Sequence, residues 1–554
     1  KLPAGGNDLF QNLWNFWFWK RQLTEGLSPY HTDLLFYPRG ASLAFHTHSE
    51  ANIIATWPIL VTLGPAAALN VATLAGFVIA GVGGYLLSRE LWGDRRAAFI
   101  AGAIFAFFPQ HVEQSLEHLN LASYGFMAIA AACLWRALRT GCPGMWGAFA
   151  VALLVNSLFS WHNSILVSPV LALIVARFLV VGERPRGRIV LETAIAALVT
   201  FALHVPFAWP MLSAAWSGEG TWAKPPVEKP IDLLFIVIPA PFHPLWGSFV
   251  DDLYERFRSY RSVGFVGYVG LATLALALGA WTLGGRRRFA GLLFWTIAAG
   301  VMLLLSLGDE LRVAGTRTGI PLPFRVVREI PFLDTSRLAH RYLVPGMLAL
   351  SAIAGAGAAA ILARTRRPGI VSVALLAVIA VDFLAAPFPL RDVPRPEWTA
   401  EIARAPEGAV LSIPGGYRAR AAEDMYFQTL HGRPIIGGYV SVTPPSIETL
   451  LERFPFLRII QEGRPEVEMR ASEGLPPILA DLPIGVVVLH RGRVREDLAA
   501  AQAEHAGTQK ERLYNPERGI PRAMFDEIRD VLRSEWGDPY HVDPDVELYA
   551  RPAP

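Results

Sequence analysis

Residues 342–389 read YLVPGMLALSAIAGAGAAAILA, RTRRP, GIVSVALLAVIAVDFLAAPFP. Two apolar runs, each of about 20 residues and so long enough as a helix to cross a hydrocarbon core of about 30 Å, flank a loop carrying Arg364, Arg366 and Arg367. This is the pattern of a transmembrane hairpin. Its arginines also orient it, because Lys and Arg close to a span end are retained on the cytoplasmic side. After Pro389 the long apolar runs stop.

Working outward from this hairpin, ten apolar stretches are predicted as spans: 66–88, 97–109, 119–138, 146–160, 164–182, 190–209, 264–284, 290–307, 342–363 and 369–389. Every second loop is basic. Arg89, Arg95 and Arg96 follow the first span, Arg136 and Arg139 the third, Arg184, Arg186 and Arg188 the fifth, Arg286 to Arg288 the seventh, and Arg364 to Arg367 the ninth. These five loops therefore share the cytoplasmic side, and residues 1–65 and 390–554 share the outer one. A chain that starts outside at Lys1 predicts a preceding span or uncleaved signal anchor, eleven spans in all. The loop 308–341 breaks the charge rule, with Arg312, Arg317, Arg325, Arg328, Arg337 and Arg341 on the outer side.

Composition agrees with a membrane protein. Of 554 residues 53% are hydrophobic and 18% charged, with a mean hydropathy of +0.34, too apolar for an ordinary soluble enzyme. A net charge of +3 gives no sign of a nucleic-acid partner. Cys133 and Cys142 make neither a disulfide framework nor a metal knuckle. The expected fold class is a polytopic α-helical membrane protein with a C-terminal extracytoplasmic α/β domain. Its parts are a first outer loop with an interfacial helix (1–65), a bundle (66–389) and a soluble domain (390–554) with β-like runs at 409–413, 434–439 and 484–490. No Walker loop, Rossmann fingerprint, HExxH or GxSxG occurs.

The outer loops hold the candidate chemistry. Asp8 opens NDLFQNLWNFWFWKRQL, whose Trp14, Phe16, Trp17, Phe18 and Trp19 suit a helix lying in the headgroup plane. Asp8 with Gln11 can equally form a capping box. His46, His48 and Glu50 alternate, so an extended strand would turn all three to one face, where they serve either a metal or a hydrogen-bond network. In PQHVEQSLEHLN, Glu113 and Glu117 stack at i, i+4 on a helix beside His111 and His118, and a cation, histidine or substrate hydroxyl would offset their repulsion. His162 lies at the same level. Pro239, Pro241 and Pro244 prevent loop 210–262 from spanning and make it fold back over a cavity. Arg337, His340 and Arg341, at i, i+3, i+4 where the ninth span begins, form a candidate phosphate clamp; the alternatives are snorkelling to headgroups or pairing with Asp334.

This layout resembles the GT-C superfamily of integral-membrane glycosyltransferases and is similar to bacterial members that share YPRGASLAF (37–45), HLNL (118–121), IPLPFRVVREIPFLDTSRLAHRY (320–342) and HGRPIIGGY (431–439). The resemblance covers most of the chain. It implies a polyprenyl-phosphate sugar donor, membrane lipids as surroundings, an unspecified acceptor and room for membrane-protein partners. It also implies that Asp8 is the first-loop acid, a base or metal ligand, and that Glu113 or Glu117 is the second-loop acid. No DxD occurs in either loop, so a divalent cation remains one alternative and no cofactor the other. Two further readings are a non-catalytic subunit of the same fold and a lipid or polysaccharide transporter; few intramembrane acids, Glu192 and Asp382, speak against the last.

Overall fold

The computed structural model describes the chain except residues 4, 5, 7, 219–228, 258–265, 286–288, 331–337, 416–418, 443, 444, 463–468, 496–519 and 554. All ten apolar stretches contain helix. Six helical segments are long and apolar enough to cross a membrane: Pro65–Trp92, Leu119–Thr140, Trp161–Val181, Arg186–Trp216, Phe289–Ser306 and Ala339–Leu362. Shorter apolar helices are Pro143–Phe159, Leu271–Leu283 and Pro368–Asp382, and Arg95–Phe107 is begun by Asp94, whose carboxylate accepts the Ala97 amide at 2.8 Å.

The run that decided the fold lies at the centre. Nearly every residue of the helix Leu343–Leu362 is buried, which its SAIAGAGAAA text permits, since small side chains let neighbouring backbones approach. A Cβ at Gly357 would strike the Leu276 carbonyl. The basic loops meet at one end. Arg139 and Arg136 pair with Glu90 at 2.5 and 3.9 Å, and Arg184 reaches the Leu138 carbonyl at 3.2 Å. Arg364 donates to the Leu283 carbonyl at 2.6 Å, and a Cβ on Gly291 would lie 3.3 Å from the Trp92 ring. Two arginines of loop 308–341 have local partners at the other end, Arg328 with Asp309 at 2.8 Å and Arg317 with Glu310 at 3.9 Å.

Residues 390–554 contain a four-stranded sheet. The strands β1 (Ala409–Ile413), β2 (Ile484–His490), β3 (His541–Val542) and β4 (Val546–Ala550) run in the order β3-β4-β2-β1. β1 pairs parallel with β2, and β2 antiparallel with β4. β2 is buried along its whole length, as expected of a strand covered on both faces. The run 434–439 is not a strand. It makes a single bridge, Ile435 to Val410, and then pairs with the first segment of the chain: the Ile435 amide donates to Leu34 at 2.9 Å and the Phe36 amide to Gly437 at 2.9 Å.

The aromatic helix α1 (Asp8–Glu25) departs from expectation. Trp14, Phe16, Phe18 and Trp19 are buried in an apolar core shared with the sheet region, not laid out in the headgroup plane. This second core joins residues 2–72 to residues 398–549, apart from the core of the bundle. Phe10 stacks on Tyr426 at 5.0 Å, and Trp14 donates to Gln428 Oε1 at 2.7 Å. Aromatic density reports area to be buried, and here protein rather than lipid buries it.

Gln428, fully buried, also donates to the carbonyls of Leu34 at 2.7 Å and Arg433 at 2.9 Å. Gln428→Leu takes this partner from the Trp14 indole N–H and the Arg433 carbonyl and leaves the Leu34 carbonyl with only the Ile435 amide, so a loss of about 1–3 kcal/mol is expected, read as a lowered unfolding midpoint of the detergent-purified protein. An unchanged midpoint would mean that this contact does not join α1 to the sheet region.

Candidate functional site

A cavity of about 600 Å³ lies where α1, the bundle and the sheet region meet, within the usual size of a small-molecule site. Asp8 lines it. The Asp8 carboxylate bonds His118 Nε2 at 3.2 Å through Oδ2 and accepts the Tyr439 hydroxyl at 3.0 Å through Oδ1. The capping box therefore does not form, and Gln11 turns instead to His46, 3.1 Å from its Nε2. Burial alone would raise the Asp8 pKa; the His118 and Tyr439 bonds and the charge of Lys229 outweigh it and hold the carboxyl below its ordinary value.

Glu117 lies beside this group. Its carboxylate accepts the Asp8 amide, while burial first and the Asp8 charge second push its pKa up. A Cβ at Gly6 would collide with the same carboxylate. Glu113 does other work, accepting the Val266 amide at 3.2 Å, and neither glutamate is among the described residues that line the cavity. His111 is buried, with ring nitrogens 2.5 Å from the Ala106 carbonyl and 2.8 Å from that of Ala122. The helix Pro109–Glu117 ends at His118, so the two histidines part, one into the bundle and one to Asp8.

Of the predicted clamp, Arg337 lies outside the described residues. Arg341 lines the cavity. His340 does not; it is buried, and its Nδ1 and amide both meet the Lys229 carbonyl at 3.1 Å. It positions Lys229 and is no part of a cationic face. Lys229 is the cation that sequence reasoning missed. It lines the cavity with Arg341, and burial first, then the Arg341 charge, lower its pKa to about 8. Tyr439 was also missed as a site residue, although it closes the HGRPIIGGY stretch.

His46, His48 and Glu50 line the cavity wall but form no metal site. Ser49 takes a left-handed conformation, φ 59°, and Glu50 begins a helix, so no extended strand aligns the three. His48 Nδ1 accepts the Trp19 indole N–H at 3.0 Å while Nε2 meets the Leu43 carbonyl at 2.9 Å. His46 Nε2 meets Asn15 Oδ1 at 2.9 Å and its Nδ1 accepts the Ser441 amide at 3.4 Å. With the lone pairs engaged, no imidazole nitrogen is left to ligate, and burial lowers the His48 pKa to about 4. Among the described residues, no three His, Cys, Asp or Glu side chains form a metal-holding group.

Burial raises Glu50 from 4.5 to about 7. Between these values the unfolded chain has lost a proton that the folded chain keeps, so this contribution to stability declines as pH rises from about 4.5 to 7. Glu50→Gln should flatten that part of the profile and raise the unfolding midpoint at pH 8 relative to wild type. Parallel profiles of the two proteins would contradict the assignment.

No family model matches the sequence, and no curated protein does. Solved structures do match. The arabinofuranosyltransferase AftD from Mycobacteria superimposes with a TM-score of 0.53 at 15% identity, over 100% of this chain and 40% of that one. The oligosaccharyltransferase AglB from Archaeoglobus fulgidus, solved with an inhibitory peptide and a dolichol-phosphate, gives 0.47 at 12% identity, over 88% of this chain and 66% of that one. ArnT from Cupriavidus metallidurans, bound to undecaprenyl phosphate, gives 0.46 at 14% identity, over 89% of each chain. The chain thus spans less than two thirds of the length of AftD and about two thirds of that of AglB. AftD, matched over the whole of this chain, shares its fold.

Proposed function

We propose that this multi-pass membrane protein is a glycosyltransferase that moves a sugar from a polyprenyl-phosphate carrier to an acceptor on the extracytoplasmic face of the plasma membrane, by a single inverting displacement. The observation that carries this reading is one cavity lined by a hydrogen-bonded carboxylate, Asp8, and by two cations, Lys229 and Arg341. The shared fold with an arabinofuranosyltransferase supports glycosyl transfer as the kind of activity. The cluster of positively charged loops at the far end of the bundle supports an extracytoplasmic cavity.

The chemistry is a substitution at the anomeric carbon. The acceptor O–H or N–H attacks that carbon, its proton passes to Asp8, and the bond from the anomeric carbon to the phosphate oxygen breaks. The polyprenyl phosphate leaves with the bonding electrons, its growing charge met by Lys229 and Arg341. Asp8 is ionised at neutral pH and can receive the proton. Glu117, whose pKa burial and the Asp8 charge push up, is the less readily ionised of the two carboxyls.

Asp8→Asn keeps the size and hydrogen-bonding capacity of the side chain but removes the base, so transfer from a polyprenyl-phosphate sugar by the purified protein should fall about 10²- to 10⁴-fold without loss of folding. Equal transfer would remove Asp8 from the mechanism. No transfer by wild type with any donor would favour a non-catalytic subunit of this fold.

The cations give a separate, binding-level expectation. Because Lys229 titrates near 8, it is charged below that pH and neutral above it. Affinity for polyprenyl phosphate should weaken as pH rises through about 8, and Lys229→Arg should abolish that dependence, since a guanidinium stays charged. Arg341→Lys should weaken binding at every pH, because a point charge cannot reproduce a bidentate fork. A flat wild-type profile would exclude Lys229 from the phosphate contact.

A further inference from the structure

The cavity has two chemically different ends. At the bundle end stand Asp8, Lys229 and Arg341; at the other, the sheet region supplies Ser412, Asp424, Glu448 and Gln461. The charges at this second end are compensated internally. Asp424 Oδ1 accepts both Nη1 and Nη2 of Arg493 at 3.1 Å, and Glu448 takes Arg458 at 2.6 Å. What faces the space is therefore close to electroneutral, and it is rich in hydrogen-bonding groups.

Two of these groups make no hydrogen bond among the described residues: the Ser412 hydroxyl and the Gln461 amide. Ser412 is the one position of β1 that is not fully buried, so the strand turns its single hydroxyl toward the cavity while its apolar neighbours face the core. Gln461 is held between two glycines. A Cβ on Gly415 would lie 3.4 Å from its Cγ, and a Cβ on Gly437 would lie 3.4 Å from its Nε2. Gly437 is not in a left-handed conformation, so backbone strain does not call for glycine there, and its lack of a side chain leaves the amide clear. The chain then runs from Gly437 to Tyr439, which donates to Asp8. Gln461 and Asp8 line the same cavity, so a ligand held at Gln461 occupies the space onto which the carboxylate opens.

We infer that this end is the acceptor subsite and that it takes a neutral saccharide, read through its hydroxyls by Gln461 and Ser412, which positions one of them toward Asp8. An amide offers two donors and an acceptor, a hydroxyl one donor and two acceptors, a set matched to vicinal hydroxyls. A phosphorylated group belongs at the opposite end, beside Lys229 and Arg341. The inference deepens the transferase reading by naming the class of acceptor.

The test uses the full chain in detergent without donor, so that binding is read apart from transfer. Saturation-transfer NMR with a panel of neutral hexose and pentose oligosaccharides should show binding to wild type. Gln461→Ala should weaken it about tenfold, the loss of one or two hydrogen bonds, and Ser412→Ala about threefold, while Arg453→Ala, which removes an exposed ion pair to Asp481 and a contact with the Phe454 ring away from the cavity lining, should leave it unchanged. Retained binding of polyprenyl phosphate by Gln461→Ala shows that the variant is folded; Gln461→Glu serves in its place if it is not. No binding by any saccharide, binding indifferent to Gln461 and Ser412, or displacement of the saccharide by an unglycosylated peptide would overturn the assignment. Saccharide binding without transfer would leave the subsite standing and the reaction refuted.

Discussion

Both oxygens of the Asp8 carboxylate are held, one by each half of the molecule. His118 comes from the end of a bundle helix and Tyr439 from the segment that follows the helix Ala419–His431 of the sheet region. A carboxylate drawn out of water is costly unless it is hydrogen-bonded and paired, so separating the halves would strip one partner from a charge that remains partly enclosed. The same join is made apolar by Trp14, Phe16 and Phe18 and polar by Gln428. The cavity exists because these contacts fix the sheet region over the bundle; it is a property of the junction and of neither half alone.

Sequence showed most clearly what depends on periodicity and length. The ten apolar stretches all contain helix, and 409–413 and 484–490 are strands with those bounds, since hydrophobic runs of such length have few other ways to satisfy their backbones. The run 434–439 misled because its apolar residues pair with Leu34 and Phe36, a contact between segments some 400 positions apart that no local pattern encodes. The aromatic helix misled for a related reason: amphipathic composition tells how much surface must be covered, not whether lipid or protein covers it.

The site was half legible. Asp8 stood out as the acid that opens the aromatic helix and Arg341 as a cation on the unfavoured side, and each lines the cavity. His46, His48 and Glu50 were read as a set by assuming an extended backbone, and one left-handed residue, Ser49, defeats that geometry. Lys229 carried no signal of its own, a single basic residue in a proline-rich loop. It joins Arg341 on the cavity wall only through burial, and His340 holds it there by its carbonyl. Tyr439 likewise gained meaning only once the halves met.

Glu117 shows how the arrangement sets the charge of the site. Two carboxylates at the start of one helix would repel each other and any phosphate, but they are not equivalent. Asp8 has a histidine, a phenol and a nearby ammonium to stabilise its anion, whereas for Glu117 burial and the field of Asp8 outweigh the charges of His118 and Lys229. Environments that push the pKa values of two neighbouring carboxyls in opposite directions make one of them the readier anion. Glu117 also accepts the Asp8 amide, supporting the first turn of α1. Asp8, the readier anion of the two, thus shares the wall of one cavity with Lys229 and Arg341, while the second carboxylate is spent on the backbone beside it.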